Sequence, residues 1–432
     1  MSAPWELTAG EIVAGCRAGE LRAAEVVESF LDRSARLEPA IAAWATLDPA
    51  GALAEARALD AAAARGDLRP LQGIPFGVKD IIDVRGLPTE AGFAPYAGRR
   101  AARDAAIVAQ LRALGAIPLG KTHTTQFANG DPAPTFNPFN REHTPGGSSA
   151  GSGAAVAARM TPAALGTQTA GSVLRPAAYN GVTGFKPTFN WFSRAGVLPL
   201  AWSLDHLGLL VRTSVDAALL YHALAESVPE SAPAAPRIGL VTDFLERSQP
   251  AVAAQLEAAA GRLRDAGARV EPVRLPVELD LLLAVHAVIM SAEVAAVHAE
   301  ALNAHPDDYG PWIRAEIEAG QLIPAAYDIK ARRLRRRLGA VMDRFLAGFD
   351  ALLLPTASNT PPGRESTGDR TCQAPWSLLG TPAISLPTAL SPDRLPIGSQ
   401  LVARRGADSA LLALAGWVES VLGLIPLPEL DS

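Results

Sequence analysis

The sequence predicts an α/β fold in which strands and helices form packed layers. Apolar segments of strand length alternate with longer segments whose apolar residues recur at helical spacing, as in residues 237–273. Hydrophobic residues make up 49% of the chain and charged residues 19%, a composition that can bury a large core. We therefore expect the 432 residues to form a single domain, 1–432.

Four regions follow one another along the chain. Residues 5–65 predict a helical N-terminal segment, because their apolar residues recur three and four positions apart and alanine is abundant. Residues 69–210 are rich in glycine, proline, serine and threonine, which predicts short strands joined by tight loops, with one helix at 104–114. Residues 211–390 predict a helix that is capped by Thr213 or Ser214 and runs to about 224, then a strand at 237–241, a helix at 250–265 and a strand at 268–273. Long helices over about 277–349 and a strand at 351–355 follow. Residues 391–432 predict a C-terminal strand and helix.

Charge and cysteine content exclude several classes of protein. The net charge of −5 argues against a nucleic-acid binder, and the basic run at 330–337 predicts only a solvated helix face. Cys16 and Cys372 form neither a CxxC nor a Cys/His pattern, and no histidine pair has HExxH or HxH spacing. No signal-peptide pattern opens the chain, and the apolar run at 281–290 is too short to cross a bilayer. We expect a cytoplasmic protein without a metal, another cofactor, or a nucleic-acid or membrane partner.

The segment 145–153, PGGSSAGSG, predicts a functional loop. Its small residues pack no core, and its glycines allow several backbone N–H groups to converge on one point, as in sites that hold an anion or an oxyanion. A flexible linker is the alternative, but linkers of this composition lie between polar segments and this one lies between apolar runs. No Gly-Lys-Ser/Thr follows, so the segment is not a phosphate-binding loop.

Two further residues stand in unusual surroundings. Ser172 follows a predicted strand and two tiny residues, where the N–H groups of residues 169–172 could face a carbonyl oxygen, although serines in such turns are usually turn formers. Lys79 lies inside an apolar strand. It is either an edge-strand lysine that prevents aggregation or a desolvated lysine whose neutral amine acts as a base. Taken singly, each residue leaves both interpretations open.

The three segments together resemble the amidase signature family. That family has a lysine in G-I-P-x-x-x-K-D, a G-G-S-S-x-G loop and a G-T-x-x-x-G-S segment, and these follow here in the same order at 73–80, 146–151 and 166–172. Family motifs also match at 121–122, 137–138, 184–188, 203–205 and 395–398, so the resemblance covers most of the chain. It implies a large mixed β-sheet covered by α-helices on both faces, with 69–210 as the signature core and 211–390 as the variable region around the substrate pocket.

The resemblance also implies a role for each matching residue. Ser172 corresponds to the nucleophile, Ser148 to a bridging serine that follows a cis peptide, and Lys79 to the base of an amidohydrolase. A neutral lysine can activate a serine in this way, giving an acyl-enzyme. The remaining implied site residues hold the oxyanion or the substrate or support the two serines: Gly147, Thr167, Thr169, Ala170 and Gly171.

Two departures from the family pattern concern the substrate. Gln168 replaces the family's usual acid, and the arginine is displaced by one place to Arg175. This variant is similar to a malonamidase-like branch, in which the displaced arginine binds the free carboxylate of the substrate, a group that suits a planar guanidinium. Alternatively, Arg175 caps a nearby carbonyl or pairs with an acid. The expected substrate is a small carboxylated amide, and neutral aliphatic or aryl amides, esters and carbamates stay open.

Two other functions are compatible with the same motifs. An amidotransferase A-type subunit would use the same three residues to release ammonia from glutamine, although the chain is short for that role and Gln168 and Arg175 depart from that branch. A catalytically silent paralogue would have no physical reason to retain Lys79 beside two serines. The expected partners are a small-molecule amide substrate and, in a homodimer, a second copy of the chain.

Overall fold

A large mixed sheet forms the centre of the molecule. In the computed structural model, which describes residues 3–430, its strands are β1 Trp44–Leu47, β2 Pro75–Lys79, β3 Ile117–Thr122, β4 Ala163–Gln168, β5 Thr183–Lys186, β6 His206–Val211, β7 Arg237–Val241, β8 Arg269–Val273, β9 Ala351–Pro355, β10 Ala383–Leu390 and β11 Pro396–Val402. The eleven strands have the order β1-β3-β2-β4-β6-β5-β10-β11-β9-β7-β8. Strands β3, β2 and β4 are parallel, as are β9, β7 and β8, and the other neighbours are antiparallel.

Helices cover this sheet. Within the described residues they are α1 Ala9–Ala18, α2 Ala23–Ile41, α3 Pro49–Ala63, α4 Ala106–Ala113, α5 Ala150–Ala157, α6 Leu174–Tyr179, α7 Ser214–Ala225, α8 Thr242–Leu245, α9 Pro250–Asp265, α10 Leu279–Ala304, α11 Pro311–Gln321, α12 Ala325–Leu346, α13 Ala374–Leu379 and α14 Asp408–Leu422. Helices α5 and α6 pack directly on the strands, α5 on β2 and β4 and α6 on β5 and β10. The α/β fold with a large mixed sheet and covering helices is confirmed.

The register of β2 and β4 decides where the site forms. All five residues of β2 are buried, as expected of a strand covered on both faces, and β2 lies between β3 and β4. Val78 of β2 is opposite Leu165 of β4 in a parallel ladder. The carboxyl ends of parallel strands meet at one edge of a sheet. Lys79 at the end of β2 therefore lies beside the segment that leaves β4, and the interpretation of Lys79 as an edge-strand lysine is wrong.

Helix α10 extends the apolar run of residues 281–290 well beyond the length that the sequence suggested. By length and composition alone, this helix is long and apolar enough to cross a membrane. It packs against α11, α12 and α13, and 56% of its most apolar window is buried inside the molecule. That burial is typical of a core helix, because a core helix can be apolar on most of its faces.

Two local expectations need correction. Helix α4 begins at Ala106 rather than at 104, because the Asp104 carboxylate accepts the N–H of Arg85 and pairs with Arg112. The basic run on α12 is not simply a solvated face. Arg335 donates to Leu378 O and Ser203 O at 2.6 and 2.9 Å. These bonds hold α12 against α13 and against the segment before β6.

Candidate active site

Lys79 lies at the centre of the site. Its side chain is fully buried, and its Nζ lies 2.7 Å from Ser148 Oγ and 2.8 Å from Thr167 Oγ1. No carboxylate oxygen of residues 3–430 lies within 4.0 Å of this amine. Burial therefore holds the pKa of Lys79 well below its ordinary value of 10.5, although the more distant charge of Asp205 opposes the shift. A lysine of this kind loses its proton more readily than an exposed one, and its neutral amine can accept a proton.

Ser148 stands at the start of α5, on the loop that the sequence singled out. The Gly147–Ser148 peptide is cis, as the family resemblance implied for the bridging serine. Gly147 has no room for a side chain, because a Cβ there would lie 2.7 Å from Thr367 Cγ2 and 3.0 Å from Thr125 Cγ2. The loop therefore depends on glycine where it passes Lys79.

Ser172 lies beside this loop but is not hydrogen-bonded to it through its hydroxyl. The two segments are joined by their backbones, since Ser149 N donates to Ser172 O at 3.3 Å. Ser172 is 7% exposed and borders a cavity. Its Oγ has no hydrogen-bond partner among the residues that the structure describes. Among the described residues, no hydrogen bond joins Ser148 Oγ to Ser172 Oγ, and catalytic hydrogen bonds often tighten only when the substrate binds.

Four consecutive backbone donors surround Ser172. Across residues 3–430, the N–H groups of Thr169, Ala170, Gly171 and Ser172 reach no acceptor, whereas the N–H groups of Val173 and Leu174 both donate to Gln168 Oε1 at 3.0 Å. Unpaired N–H groups are rare in a buried segment. Aimed at a reacting carbonyl, they would stabilise a negatively charged oxygen.

Gln168 and Ser377 hold this loop in place. Gln168 caps the first turn of α6 through its Oε1 and donates through its Nε2 to Ser377 Oγ at 3.1 Å. Ser377, on α13, donates in turn to Ala170 O at 3.1 Å. The replacement of the family's acid by Gln168 thus retains an acceptor for the N–H groups of α6 and adds a donor toward α13. Sequence reasoning missed Ser377 because nothing in residues 374–379 points to α6.

Asp205 and His286 fix the other side of the loop. The buried Asp205 carboxylate accepts Thr169 Oγ1–H at 2.6 Å and the N–H groups of Leu200 and Ala201. Burial raises the pKa of Asp205 to about 6, against these hydrogen bonds. His286 Nε2 lies 3.0 Å from Thr169 O, and because a carbonyl only accepts, the imidazole donates. Burial lowers the pKa of His286 to about 4, so the ring is neutral at pH 7.

The predicted residues do not all contact one another. Thr167 bonds Lys79 and exchanges hydrogen bonds with Ser149 rather than with Ser148 or Ser172.

A Cβ on Gly171 would lie 2.5 Å from Gln373 Oε1, so this turn also requires glycine. Within the described part of the chain, no group of three His, Cys, Asp or Glu side chains is placed to hold a metal ion.

A cavity of about 490 Å³ opens over Ser172. It is lined by residues from the loops after β3 and β4, from α6, from the segment before β6, from α10 and α11, and from the segment before α13: Ala128, Asn129, Gly130, Thr169, Ala170, Ser172, Arg175, Leu200, Met290, Trp312, Glu316, Ser366, Thr367, Gly368, Asp369 and Arg370. Of these, sequence reasoning had named only the segment at 169–175. The others come from distant parts of the chain, and only the fold brings them together.

Arg175 binds backbone and side-chain oxygens at the cavity wall. It is 5% exposed, and its Nη2 donates to Gly147 O at 2.8 Å and to Thr367 Oγ1 at 3.3 Å, while Nη1 donates to Asp369 O at 3.3 Å. Burial lowers the pKa of Arg175, and no carboxylate of residues 3–430 lies within 4.0 Å of its guanidinium. The carbonyl-capping alternative is thus present in the structure, and a role in substrate binding stays a prediction.

Comparisons with known proteins agree with this geometry. A family model described as Amidase matches residues 25–412. The A subunit of the glutamyl-tRNA(Gln) amidotransferase from Roseiflexus castenholzii (strain DSM 13941 / HLO8) is 34% identical over an alignment of 467 positions that covers 95% of each chain.

Solved structures of similar proteins have the same fold. A chain from "An unexpected vestigial protein complex reveals the evolutionary origins of an s-triazine catabolic enzyme" has a TM-score of 0.91 and 31% identity, over 98% of this chain and 100% of that one. A structure described as "Crystal structure of amidase" has a TM-score of 0.89 and 34% identity, over 96% of this chain and 100% of that one. The chain therefore belongs to the Amidase family, the amidase signature enzymes, which act on C–N amide bonds.

Proposed function

We propose that the protein is an amidohydrolase that cleaves linear amides through an acyl-enzyme on Ser172. The observation that carries this proposal is a buried, carboxylate-free Lys79 amine 2.7 Å from Ser148 Oγ, next to a loop of unpaired N–H groups around Ser172. An amine with a lowered pKa supplies a base, and the unpaired N–H groups supply an oxyanion site.

Each proton has a place in the proposed reaction. Ser172 Oγ attacks the carbonyl carbon while its proton passes to Ser148 Oγ and the Ser148 proton passes to Lys79 Nζ. The carbonyl oxygen becomes an oxyanion held by the N–H groups of residues 169–172, where one donor contributes about 3 kcal/mol. The proton returns through Ser148 to the leaving nitrogen as the C–N bond breaks. Water, deprotonated by the same relay, then releases the acid and frees Ser172.

The lining of the cavity favours a small substrate that carries an acidic group. Two guanidinium groups, those of Arg175 and Arg370, border the space over Ser172, and guanidinium groups bind carboxylates well. A malonamate-like amide is small and carries a carboxylate, so its amide can lie at Ser172 while its carboxylate lies toward the arginines. This is the substrate class that the displaced arginine suggested.

A second candidate is a glutamine-hydrolysing amidotransferase A-type subunit. It is favoured by the names of similar curated proteins, which include the Roseiflexus protein and its counterpart from Salinispora arenicola (strain CNS-205) at 33% identity. Glutamine also carries a carboxylate, so the cavity alone does not separate the two functions. A protein with this function would act with other subunits, whereas the proposed amidohydrolase acts alone.

Hydrolysis by the purified chain separates these possibilities. We expect kcat/KM for malonamate to exceed that for propionamide by about tenfold or more, as a charged hydrogen bond contributes about 1.5–3 kcal/mol. Ser172→Ala serves as the control for contaminating activity. If neutral amides react faster by a wide margin, the carboxylate proposal is wrong. Glutamine hydrolysis that appears only after a partner is added would favour the amidotransferase.

A further inference from the structure

The two guanidinium groups of the cavity differ in what they already bind. Both terminal nitrogens of Arg175 donate to protein oxygens, of Gly147, Thr367 and Asp369. Arg370 is half-buried, and the one hydrogen bond that its guanidinium makes within residues 3–430 runs from Nη1 to the sulfur of Met290 at 3.4 Å. Thioether sulfur is a weak acceptor. Arg370 therefore borders the cavity with most of its five N–H donors free of protein acceptors among the described residues.

The acids of the cavity wall do not neutralise Arg370. Glu316 accepts a hydrogen bond from Ser291, and Asp369 accepts hydrogen bonds from Ser358 and from Thr371. In the described chain, neither carboxylate lies within 4.0 Å of Arg370. The positive charge of Arg370 also disfavours the charged form of Arg175. The charge of Asp369 has a larger and opposite effect on Arg175, but neither carboxylate pairs with Arg370, whose positive charge stays available to an anion.

Asn129 also has a side-chain amide donor that no described protein group accepts. Its Oδ1 accepts the N–H of Gly130 at 2.6 Å, which fixes the orientation of the amide, and its Nδ2 is buried without an acceptor among the described residues. Asn129 borders the same cavity as Arg370 and Ser172. Its Nδ2 has almost no accessible surface, so Asn129 shapes the cavity wall and leaves Arg370 as the donor for a ligand oxygen.

From these contacts we propose that Arg370 binds the carboxylate of the substrate, and that Arg175 is a positioning residue that holds Gly147 next to Ser148. This inference rests on the proposed amidohydrolase function. It assigns carboxylate binding to Arg370, in the segment before α13, rather than to Arg175, which follows Ser172 in the sequence. The assignment rests on the N–H groups of the Arg370 guanidinium that have no protein acceptor and on its lack of a carboxylate partner among the described residues.

Ligand binding tests the assignment of Arg370 without turnover. Isothermal titration of malonate and of neutral malonamide is compared between the wild type, Arg370→Gln, Arg370→Lys and Arg333→Gln, the last altering an exposed arginine of α12. We expect Arg370→Gln to weaken malonate binding by about 10- to 100-fold, Arg370→Lys to restore part of it, and malonamide binding to stay within about threefold. Arg333→Gln should bind both ligands like the wild type.

Two results would overturn the assignment. One is malonate binding by Arg370→Gln within about threefold of the wild type, and the other is no detectable binding of malonate to the wild type. Turnover of propionamide separates this inference from the proposed function. There, Arg175→Gln should lower kcat with little change in KM, and the control Arg333→Gln should change neither. If no amide is hydrolysed at all, the proposed function fails while the titrations still report on Arg370.

Discussion

Lys79 shows how burial can produce a base from an ordinary side chain. Its amine keeps two hydroxyl partners, Ser148 and Thr167, and no carboxylate of residues 3–430 lies within 4.0 Å to pair with the ammonium form. Lys121, also buried and on the neighbouring strand β3, pairs with Asp80 at 2.9 Å. The two lysines are similarly buried, and they differ in that a carboxylate pairs with Lys121 and none pairs with Lys79 among the described residues. We expect only Lys79 to serve as a base.

The pH dependence of hydrolysis should report on Lys79. Its neutral form is the active one, so kcat/KM should rise with pH and level off well below the ordinary lysine value of 10.5. The charge of Asp205 raises the pKa of Lys79, so Asp205→Asn should move this rise to lower pH. The pH profile of kcat/KM from about pH 5 to 10 measures both effects.

The same profile distinguishes Lys79 from Asp205. Burial raises the pKa of Asp205 to about 6, and a rise in rate caused by Asp205 itself would disappear in Asp205→Asn. Asp307→Asn alters an exposed carboxylate and should leave the profile unchanged. A rise centred near the ordinary lysine value of 10.5 in the wild type, or one that moves to higher pH in Asp205→Asn, would contradict the role of Lys79.

The oxyanion loop is held by elements that are distant in the sequence. Strand β4 delivers it, Gln168 caps α6 behind it, and α13 fastens it through Ser377. The sequence was sufficient to predict β7, β9 and α9 at the residues observed, because their apolar patterns are local. It was not sufficient to predict Ser377 or Asp205 as supports, since their contacts depend on how α13 and β6 pack.

Gln168→Ala should loosen this loop. The substitution removes the acceptor of two buried N–H groups and the link to Ser377, so we expect the free energy of unfolding to fall by about 1–3 kcal/mol and kcat to fall by about tenfold. Urea denaturation and steady-state kinetics measure the two effects. Gln110→Ala, at an exposed position of α4, is the matched control. A Gln168→Ala protein with wild-type stability and kcat would show that the cap is dispensable.

One length of strand β6 separates the site from the N-terminal residues 5–7. The site lies at the end of β6 where His206 pairs with Gln168, whereas Val211 at the other end pairs with Ala163. At about 3.4 Å per residue, these two ends are roughly 17 Å apart. The family resemblance predicted the mixed sheet and its covering helices. It could not predict which residues line the cavity, because Arg370, Met290 and Trp312 meet there only after α10, α11 and α13 have packed.

Arg212, just beyond the far end of β6, should contribute to stability and not to catalysis. Its guanidinium donates to the carbonyl oxygens of Trp5, Glu6 and Leu7 at 2.7–2.8 Å and so holds the N-terminal segment. We expect Arg212→Gln to lower the free energy of unfolding by about 2–4 kcal/mol, because three carbonyls lose charged donors. Urea denaturation measures this loss, with Arg333→Gln as the control, and kcat should stay near the wild-type value. A large loss of kcat in a folded Arg212→Gln protein would contradict the separation of the two regions.

Covalent labelling by an alkyl fluorophosphonate tests the Lys79, Ser148 and Ser172 relay most directly. Peptide mass spectrometry should find a single adduct, on Ser172. Labelling stopped at fixed times should show that Lys79→Ala and Ser148→Ala react more slowly than the wild type by about 10³-fold or more, because each variant loses a proton-transfer group. Circular dichroism of each variant establishes that it is folded. An adduct on another residue, or labelling of Ser172 at the wild-type rate in folded Lys79→Ala, would contradict the proposed mechanism.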